Sequence, residues 1–206
     1  MICTRCPALC ASRTRIVLPD LPEFGRPHLL VIGEAPGADE DQQGRGFVGR
    51  AGRTLHRLLE ANGLSRGYDY GCANVVRCRP PDNRKPTAEE VQNCLPFLSE
   101  LLAKVQPAVV LAVGDTAAAV FFQNRRGLSL GEKIQALQES DHCPRAFLEY
   151  GSLLDLRWPF GSKLVVMPHT SPLAWNRSSP DGRKWSEVGE AQIRLAANLV
   201  RSATTP

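Results

Sequence analysis

Two pairs among the seven cysteines are spaced to supply ligands to one metal site. Cys3 and Cys6 form a C-x2-C pair near the amino terminus, and a segment rich in proline and polar residues separates Cys78 from Cys94. Free thiols are the alternative, but the polar segment around the first pair offers little apolar packing, so ligation is favoured. A tetrahedral zinc ion accepts such a set, and so does a [4Fe-4S] cluster. The spacing leaves both open.

A second stretch with chemical potential is GEAPGADEDQQGRGFVG, residues 33–49, which follows the apolar run HLLVI. It holds five glycines, one proline, four carboxylates and a single phenylalanine, Phe47. Glycine loses the most backbone freedom on folding, so a loop with this composition is costly to order. We therefore expect its main chain to approach a ligand closely.

Short apolar runs and helix-like segments alternate along the chain and must position these residues. The runs lack regular alternation, which is typical of strands buried on both faces of a parallel sheet. A capping-box pattern at Thr87 and Glu90 marks one helix start. The sequence predicts an α/β layered fold. Predicted strands cover 28–33, 72–77, 108–114 and 164–169, and predicted helices cover 51–63, 87–105, 115–125 and about 186–201.

Chemically unusual residues lie at or near the ends of the four predicted strands. Glu34 follows the first strand, Asn74 lies within the second, Gly114 follows the third and His169 ends the fourth. Ligands of open α/β sheets bind at the carboxyl ends of the strands. We therefore expect one site at this edge of the sheet.

Length and charge favour one domain, spanning residues 1–206, with an amino-terminal metal-binding segment and an insertion or elaborate crossover at about 123–163. The net charge of +4 suits a polyanionic partner without requiring one. No apolar run is long enough to span a membrane, and the first residues lack the features of a signal peptide. We expect a cytoplasmic protein, a compartment in which a disulfide framework is disfavoured.

Several motifs occur in one order along the chain: C-x2-C, GEAPG, GRGFVGRAG, NVVRCRPPDNR, a distant cysteine and a strand that ends in His169. In this order the sequence resembles the family 4 uracil-DNA glycosylases, an iron-sulfur branch of their superfamily. The resemblance is dense from residue 3 to about residue 122. It implies a three-layer α/β/α sandwich around a four-stranded parallel sheet, with a [4Fe-4S] cluster on Cys3, Cys6, Cys78 and Cys94. It also implies DNA repair by hydrolysis of the bond between uracil and deoxyribose, with water as nucleophile and an abasic site as product.

The resemblance also assigns roles to individual residues. Such an enzyme must rotate the nucleotide out of the base stack into a pocket. There Phe47 stacks on the uracil ring and the Asn74 amide reads its edge. His169 donates to the uracil carbonyl beside the bond that breaks, and Glu34 orients the water or stabilises the cationic sugar.

Three further residues are expected to complete the pocket. Main-chain groups around Ala35 and Gly37 approach the base and the flanking phosphates. Ala35 stands where the family 1 branch has a water-activating aspartate, and family 4 also has a small residue there. Glu40 is expected near the C5 face, where it disfavours the methyl group of thymine.

The remaining expectations concern DNA. Arg77 and Arg84 belong to a loop expected to meet phosphates, and either Leu173 or Trp175 is expected to wedge into the base stack. Thr170 follows His169 where the family usually has proline, so a different base such as hypoxanthine is an alternative substrate. A non-catalytic, metal-stapled nucleic-acid-binding module is the alternative from another class. We expect a monomer that acts on single- or double-stranded uracil-containing DNA.

Overall fold

The computed structural model describes residues 3–148 and 156–204. Its centre is a four-stranded sheet in which every pairing is parallel, with the strand order β2-β1-β3-β4. The strands are almost entirely buried, as expected for a parallel sheet covered on both faces. Their bounds are β1 (Leu29–Gly33), β2 (Tyr70–Asn74), β3 (Val109–Val113) and β4 (Lys163–Met167).

Helices cover the sheet on both sides, which confirms the predicted three-layer α/β/α sandwich. Helices α3 and α8 pack on one face, while α4 and α6 pack on the other. The described helices are α1 (Pro7–Ser12), α2 (Ala38–Gln43), α3 (Arg50–Glu60), α4 (Ala88–Val105), α5 (Asp115–Ala119), α6 (Leu130–Glu139), α7 (Pro172–Trp175) and α8 (Trp185–Thr204).

Strand β1 shows how the sheet divides the core. Leu30 and Ile32 pack towards the α4 side, whereas Leu29 and Val31 pack towards α3 and α8, and all four are fully buried. Burial of one such side chain contributes roughly 1.5–3 kcal/mol, so β1 is anchored from both layers. The loop that follows β1 therefore starts from a rigid point.

Several predicted boundaries are wrong: the strand predicted over 164–169 ends at Met167, before His169, and the helix predicted over 51–63 ends at Glu60. Two further errors have a common cause. The strand predicted over 72–77 is β2, which ends at Asn74; Val75 and Val76 are buried in the connection that follows it. The helix predicted over 115–125 ends at Ala119 as α5. In both cases apolar residues are buried in irregular backbone, which local pattern does not distinguish from a strand or helix. The capping box predicted at Thr87 is confirmed.

The segment 123–163 contains α6, which packs against β4. Lys133 of α6 is 4% exposed and donates to Asp115 Oδ1 over 2.6 Å, which ties α6 to α5. Residues 149–155 of this segment lie outside the described residues. None of the described helices combines the length and apolar character needed to span a membrane.

The amino-terminal segment is fastened to α2 by a buried carboxylate. Asp41 is 2% exposed and accepts hydrogen bonds from the backbone N–H groups of Thr14, over 2.8 Å, and Arg15, over 3.2 Å. Burial acts to raise the pKa of Asp41, but these hydrogen bonds outweigh it and the pKa lies below its ordinary value of 3.8. The charged form of Asp41 thus stabilises the fold.

We expect Asp41→Asn to lower the free energy of unfolding at pH 7 by about 1–3 kcal/mol, because an amide replaces a charged acceptor facing two N–H donors. Urea unfolding measures this value. A group whose pKa is depressed on folding stabilises above its unfolded pKa and loses that contribution as pH falls through its folded pKa. The difference between wild type and variant should therefore shrink below pH 3.8.

Asp82→Asn is the matched control, because Asp82 is exposed and has a φ of 51°, a conformation that asparagine tolerates. This variant should leave the free energy of unfolding almost unchanged at pH 7 and below pH 3.8. Equal stability of the Asp41 and Asp82 variants at pH 7 would contradict the role given to Asp41.

Candidate active site

A cavity of about 390 Å³ opens at the carboxyl edge of the sheet, between the ends of β1, β2 and β4 and the starts of α2 and α3. The four strands end at one edge because their register places Gly33 beside Asn74 and Val113 beside Met167. Eight of the residues selected from the sequence line this cavity: Glu34, Ala35, Gly37, Glu40, Phe47, Asn74, Arg84 and His169.

Phe47 reaches the cavity from an uncommon backbone conformation. Its φ is 59°, in the left-handed region that non-glycine residues rarely adopt. A Cβ atom at Gly52 would overlap the carbonyl group of Phe47, so only glycine lets the first turn of α3 pack on this backbone. The surrounding structure thus holds Phe47 in a conformation that costs on the order of 1–3 kcal/mol.

A polar network behind the ring fixes two consecutive carbonyl groups. Arg66 Nη2 donates to the Gly46 carbonyl and to Asp20 Oδ2, each over 2.6 Å. His56 Nε2 lies 2.9 Å from the Phe47 carbonyl oxygen, and its Nδ1 lies 2.8 Å from the Tyr70 hydroxyl oxygen. Burial, and then the charge of Arg66, lowers the pKa of His56 to about 4, so its ring is neutral at neutral pH.

Sequence reasoning missed this network. Asp20 and Arg66 are 46 positions apart, and no motif joins either residue to His56 on α3. His56 and Phe47 are nine positions apart, and this spacing has no structural meaning until the loop and α3 are folded together. The way this network holds the carbonyl groups of Gly46 and Phe47 is visible only in the three-dimensional structure.

Asn74 and Phe47 approach each other across a glycine. Gly33, the last residue of β1, pairs with Asn74 in the sheet. A Cβ atom at Gly33 would lie 2.5 Å from Asn74 Oδ1 and 2.7 Å from Phe47 Cζ. The missing side chain therefore leaves the room that the Phe47 ring and the Asn74 amide occupy.

His169 is held in a single protonation form by its own loop. The backbone N–H of Ser171 donates to His169 Nδ1 over 3.1 Å. A neutral imidazole that accepts at Nδ1 carries its proton on Nε2. Burial lowers the pKa of His169 below its ordinary 6.5, although Glu34 and Glu40 act to raise it. The side chain is thus a neutral ring with an N–H donor at a fixed position.

The three carboxylates that line the cavity, Glu34, Asp39 and Glu40, differ in their surroundings. Glu40 accepts from the backbone N–H groups of Gly37, over 3.1 Å, and Gly49, over 2.8 Å, so it clamps the loop before α2 to the loop before α3. The Glu34 carboxylate makes no hydrogen bond to any described residue. Asp39 is exposed at the start of α2, whereas Glu34 is partly buried and acts on the charge of His169.

The arginines expected at DNA lie in different places. Arg84 lines the cavity and forms two hydrogen bonds with the Glu90 carboxylate, of 2.7 and 2.9 Å. Arg77 lies away from the cavity, partly buried, with its guanidinium 4.1 Å from the centre of the Phe97 ring. Burial lowers the pKa of Arg77 from its ordinary value.

The two candidate wedge residues also differ. Leu173 is 72% exposed at the surface. The Trp175 ring packs so closely on α8 that a Cβ atom at Gly189 would overlap it. Of the two side chains, Leu173 is the one free to enter another molecule.

The cysteines selected from the sequence surround a second cavity, of about 560 Å³. Cys3, Cys78 and Cys94 line it, and Cys6 packs beside them at the start of α1. Arg13 Nη1 donates to Cys78 Sγ over 2.9 Å. Within residues 3–148 and 156–204, no three His, Cys, Asp or Glu side chains are arranged to hold a metal ion. The thiols thus enclose a space and do not converge on one point.

The charges of these thiols interact. Burial raises the pKa of the Cys94 thiol to about 11, and the neighbouring Cys78, Cys6 and Cys3 act to raise it further. Cys10 lies close by and donates its thiol to the Cys3 carbonyl over 3.4 Å. Deprotonation of these thiols together would therefore require compensating positive charge, part of which Arg13 supplies.

Comparison with known proteins gives one consistent family. The family model described as the uracil DNA glycosylase superfamily matches residues 20–190. A type-4 uracil-DNA glycosylase of Thermotoga maritima is 37% identical over 177 residues, which are 86% of this chain and 80% of that protein. A type-4 enzyme of Pyrobaculum aerophilum is 43% identical over 106 residues, 50% of this chain and 54% of that protein. A type-5 enzyme of the same organism is 34% identical over 142 residues.

We expect Gly52→Ala to destabilise the protein, because the new methyl group would overlap the carbonyl group of Phe47. Overpacking of this kind costs typically about 1–3 kcal/mol, which exceeds the roughly 1 kcal/mol that alanine gains over glycine in a helix. Urea unfolding measures the change.

Gly131→Ala is the matched control, since Gly131 lies in α6 and a Cβ atom there meets nothing within 4 Å. This variant should be as stable as wild type or slightly more stable. If Gly52→Ala behaves in the same way, the close packing of α3 on Phe47 is not a constraint on the fold.

Proposed function

Because this chain belongs to the uracil-DNA glycosylase superfamily, we propose that it removes uracil from DNA by hydrolysing the N-glycosidic bond, which leaves an abasic site. The observation that carries this proposal is the meeting of an aromatic ring, an amide, an imidazole and an unpaired carboxylate around one cavity. A non-catalytic binding module needs no such combination.

The cavity suits recognition of a flipped pyrimidine. Phe47 offers a ring for stacking, which contributes about 1–3 kcal/mol per base. The Asn74 amide offers a donor and an acceptor side by side, which matches the carbonyl and ring N–H on the Watson–Crick edge of uracil. The close approach of these two side chains across Gly33 lets one base meet both.

The chemistry follows from the charges that develop as the bond breaks. Negative charge grows on the departing base, where the N–H of His169 donates to the carbonyl beside the bond. Positive charge grows on the sugar, where the Glu34 carboxylate stabilises it or orients the attacking water. A neutral imidazole suits this role because it donates a hydrogen bond to the carbonyl and does not transfer its proton before the bond breaks.

Water is the proposed nucleophile. No lysine lines the cavity among the described residues, so no amine is placed there to form a Schiff base with the sugar. The backbone around Ala35 and Gly37 lines the same wall, and we propose that it meets the base and its phosphates, although the Gly37 N–H itself donates to Glu40. Glu40 is already bound to two main-chain N–H groups, so we propose that it excludes the thymine methyl indirectly, by fixing this wall.

The contacts with DNA are proposed from exposure. Leu173 is the proposed wedge, since its side chain is exposed while Trp175 is packed against α8. Arg84 borders the cavity and is the proposed phosphate contact. Arg77 stacks on Phe97 beside the cysteine cavity, so we propose that it acts on DNA through the loop it supports.

The cytoplasmic location, the monomeric state and the single domain over 1–206 stay predictions.

A [4Fe-4S] cluster is the proposed occupant of the cysteine cavity, with Cys3, Cys6, Cys78 and Cys94 as ligands. Three thiols that line a cavity, with a fourth beside it, suit a polyatomic cluster better than a single zinc ion, which requires sulfur atoms at about 2.3 Å. The cluster would join the amino-terminal segment to the loop after β2 and add positive charge among the thiolates. Arg13 donates to one of these sulfur atoms and would tune its charge.

The first experiment is a cleavage assay with a labelled oligonucleotide that contains one uracil, opposite guanine, opposite adenine or in a single strand. We expect alkali-sensitive breaks at uracil and none at thymine in the same position. Hypoxanthine in a parallel oligonucleotide tests the alternative substrate. Intact uracil in the presence of excess protein would overturn the proposed function.

We expect His169→Asn to lower the single-turnover rate by about 10²–10³, the usual cost of losing one donor to a developing charge. Glu34→Gln should lower the rate as well, because an uncharged amide stabilises the sugar cation poorly. His28→Asn is the control, since His28 is exposed at the opposite end of β1. Equal rates for all three variants would remove the roles assigned to His169 and Glu34.

The cofactor is tested by its spectrum and by metal analysis. Protein purified without oxygen should be brown and contain iron, and Cys78→Ser should lose both colour and iron. Cys143→Ser is the control, because Cys143 precedes a short helical turn far along the chain and does not line the cavity. Stoichiometric zinc with no iron in protein from iron-replete cells would contradict the cluster.

A further inference from the structure

Thr170 makes a contact that the proposed chemistry has not used. Thr170 is 2% exposed and lines the cavity of the candidate active site. Its Oγ1 donates to the carbonyl oxygen of Ala51 over 2.7 Å. The two residues are 119 positions apart. Thr170 also stands immediately after His169, where the sequence departs from the proline usual in the family it resembles.

This hydrogen bond joins two walls of the cavity, the segment after β4 and the start of α3. Thr170 continues the backbone of β4 beyond His169, and Ala51 lies in the first turn of α3, which packs through Gly52 on the Phe47 backbone. The segment after β4 therefore carries the His169 imidazole, and α3 packs on the backbone that carries the Phe47 ring. A carbonyl oxygen in a helix has a second lone pair, so Ala51 accepts from Thr170 without leaving its helical bond.

His169 itself is supported on two other sides. A Cβ atom at Gly114 would lie 3.3 Å from His169 Cβ, which shows how closely the end of β3 backs the imidazole. The N–H of Ser171 holds Nδ1. Both supports act on the ring within its own wall, and Thr170 fixes the distance from that wall to the ring of Phe47.

We propose that Thr170 is a positioning residue: its hydroxyl sets the separation between His169 and Phe47, and so aligns the N–H donor with a base stacked on the ring. This inference rests on the proposed function. Misalignment of reacting groups by about 1 Å lowers rates by up to about 10². The hydroxyl should therefore affect the chemical step more than the binding of DNA.

The test compares Thr170→Val, which keeps the shape and removes the hydroxyl, with Thr170→Ser, which keeps the hydroxyl. We expect the valine variant to lower the single-turnover rate on uracil DNA about tenfold or more, with little change in the concentration for half-saturation. The serine variant should stay within about threefold of wild type. Thr54→Val is the matched control, because Thr54 lies on α3, bonds only to its own helix through Arg50 and does not line the cavity.

A second pair of variants covers loss of folding. If Thr170→Val unfolds, Thr170→Ala and Thr170→Ser both lack the methyl group and differ only in the hydroxyl, so their rates isolate the hydrogen bond. Equal rates for alanine and serine, or for the valine variant and Thr54→Val, would overturn the inference.

Nitrogen NMR of the His169 ring separates this inference from the proposed function, because it requires no substrate. All three proteins should keep the proton on Nε2, which the Ser171 N–H fixes. Wild type and Thr170→Ser should give the same ring chemical shifts, and Thr170→Val should shift or broaden them because the imidazole moves relative to Phe47. An unchanged signal would also overturn the inference. A wild-type protein that leaves uracil intact but shows the expected NMR difference would refute the proposed function and support the positioning role of Thr170.

Discussion

The pairing of Gly33 with Asn74 across β1 and β2 is the contact on which the candidate site depends. Parallel register brings the two residues side by side, and the absence of a Cβ atom at Gly33 lets the Phe47 ring come within reach of the Asn74 amide. Any side chain at this position would close the cavity from its floor. The buried strand before Gly33 and the glycine-rich loop after it therefore act together. The rigid edge of the sheet supports the loop whose backbone lines the cavity.

The carboxylates of the loop after β1 are divided between structure and chemistry. Asp41 holds the amino-terminal segment and Glu40 clamps two loops, so both are already bound by main-chain donors. Glu34 has no such partner among the described residues, and it lies close enough to His169 to influence its charge. We propose that a neutral imidazole beside a carboxylate with no main-chain donor stabilises charge that appears only during the reaction.

The pattern of buried strands predicted the parallel sheet, and the resemblance to a known family supplied the three layers and eight of the residues that line the cavity. The sequence did not predict the structural use of Glu40 or the network of His56, Arg66 and Asp20, since those contacts join residues that are distant along the chain. It located Thr170 only as a departure from a family pattern. Hydrogen bonds between separate elements depend on packing geometry, and a single sequence carries no local record of them.

The two cavities are connected through the amino-terminal segment. Arg13 donates to Cys78 Sγ in one cavity, and the next two residues donate through their backbone to Asp41 in α2, whose neighbour Glu40 clamps the wall of the other. Anchoring the cysteines therefore restrains α2 through a short, fully hydrogen-bonded path. A cluster in the cysteine cavity need not take part in the reaction to matter for it, because loss of the anchor would release the segment that keeps Asp41 buried and the Glu40 clamp in place.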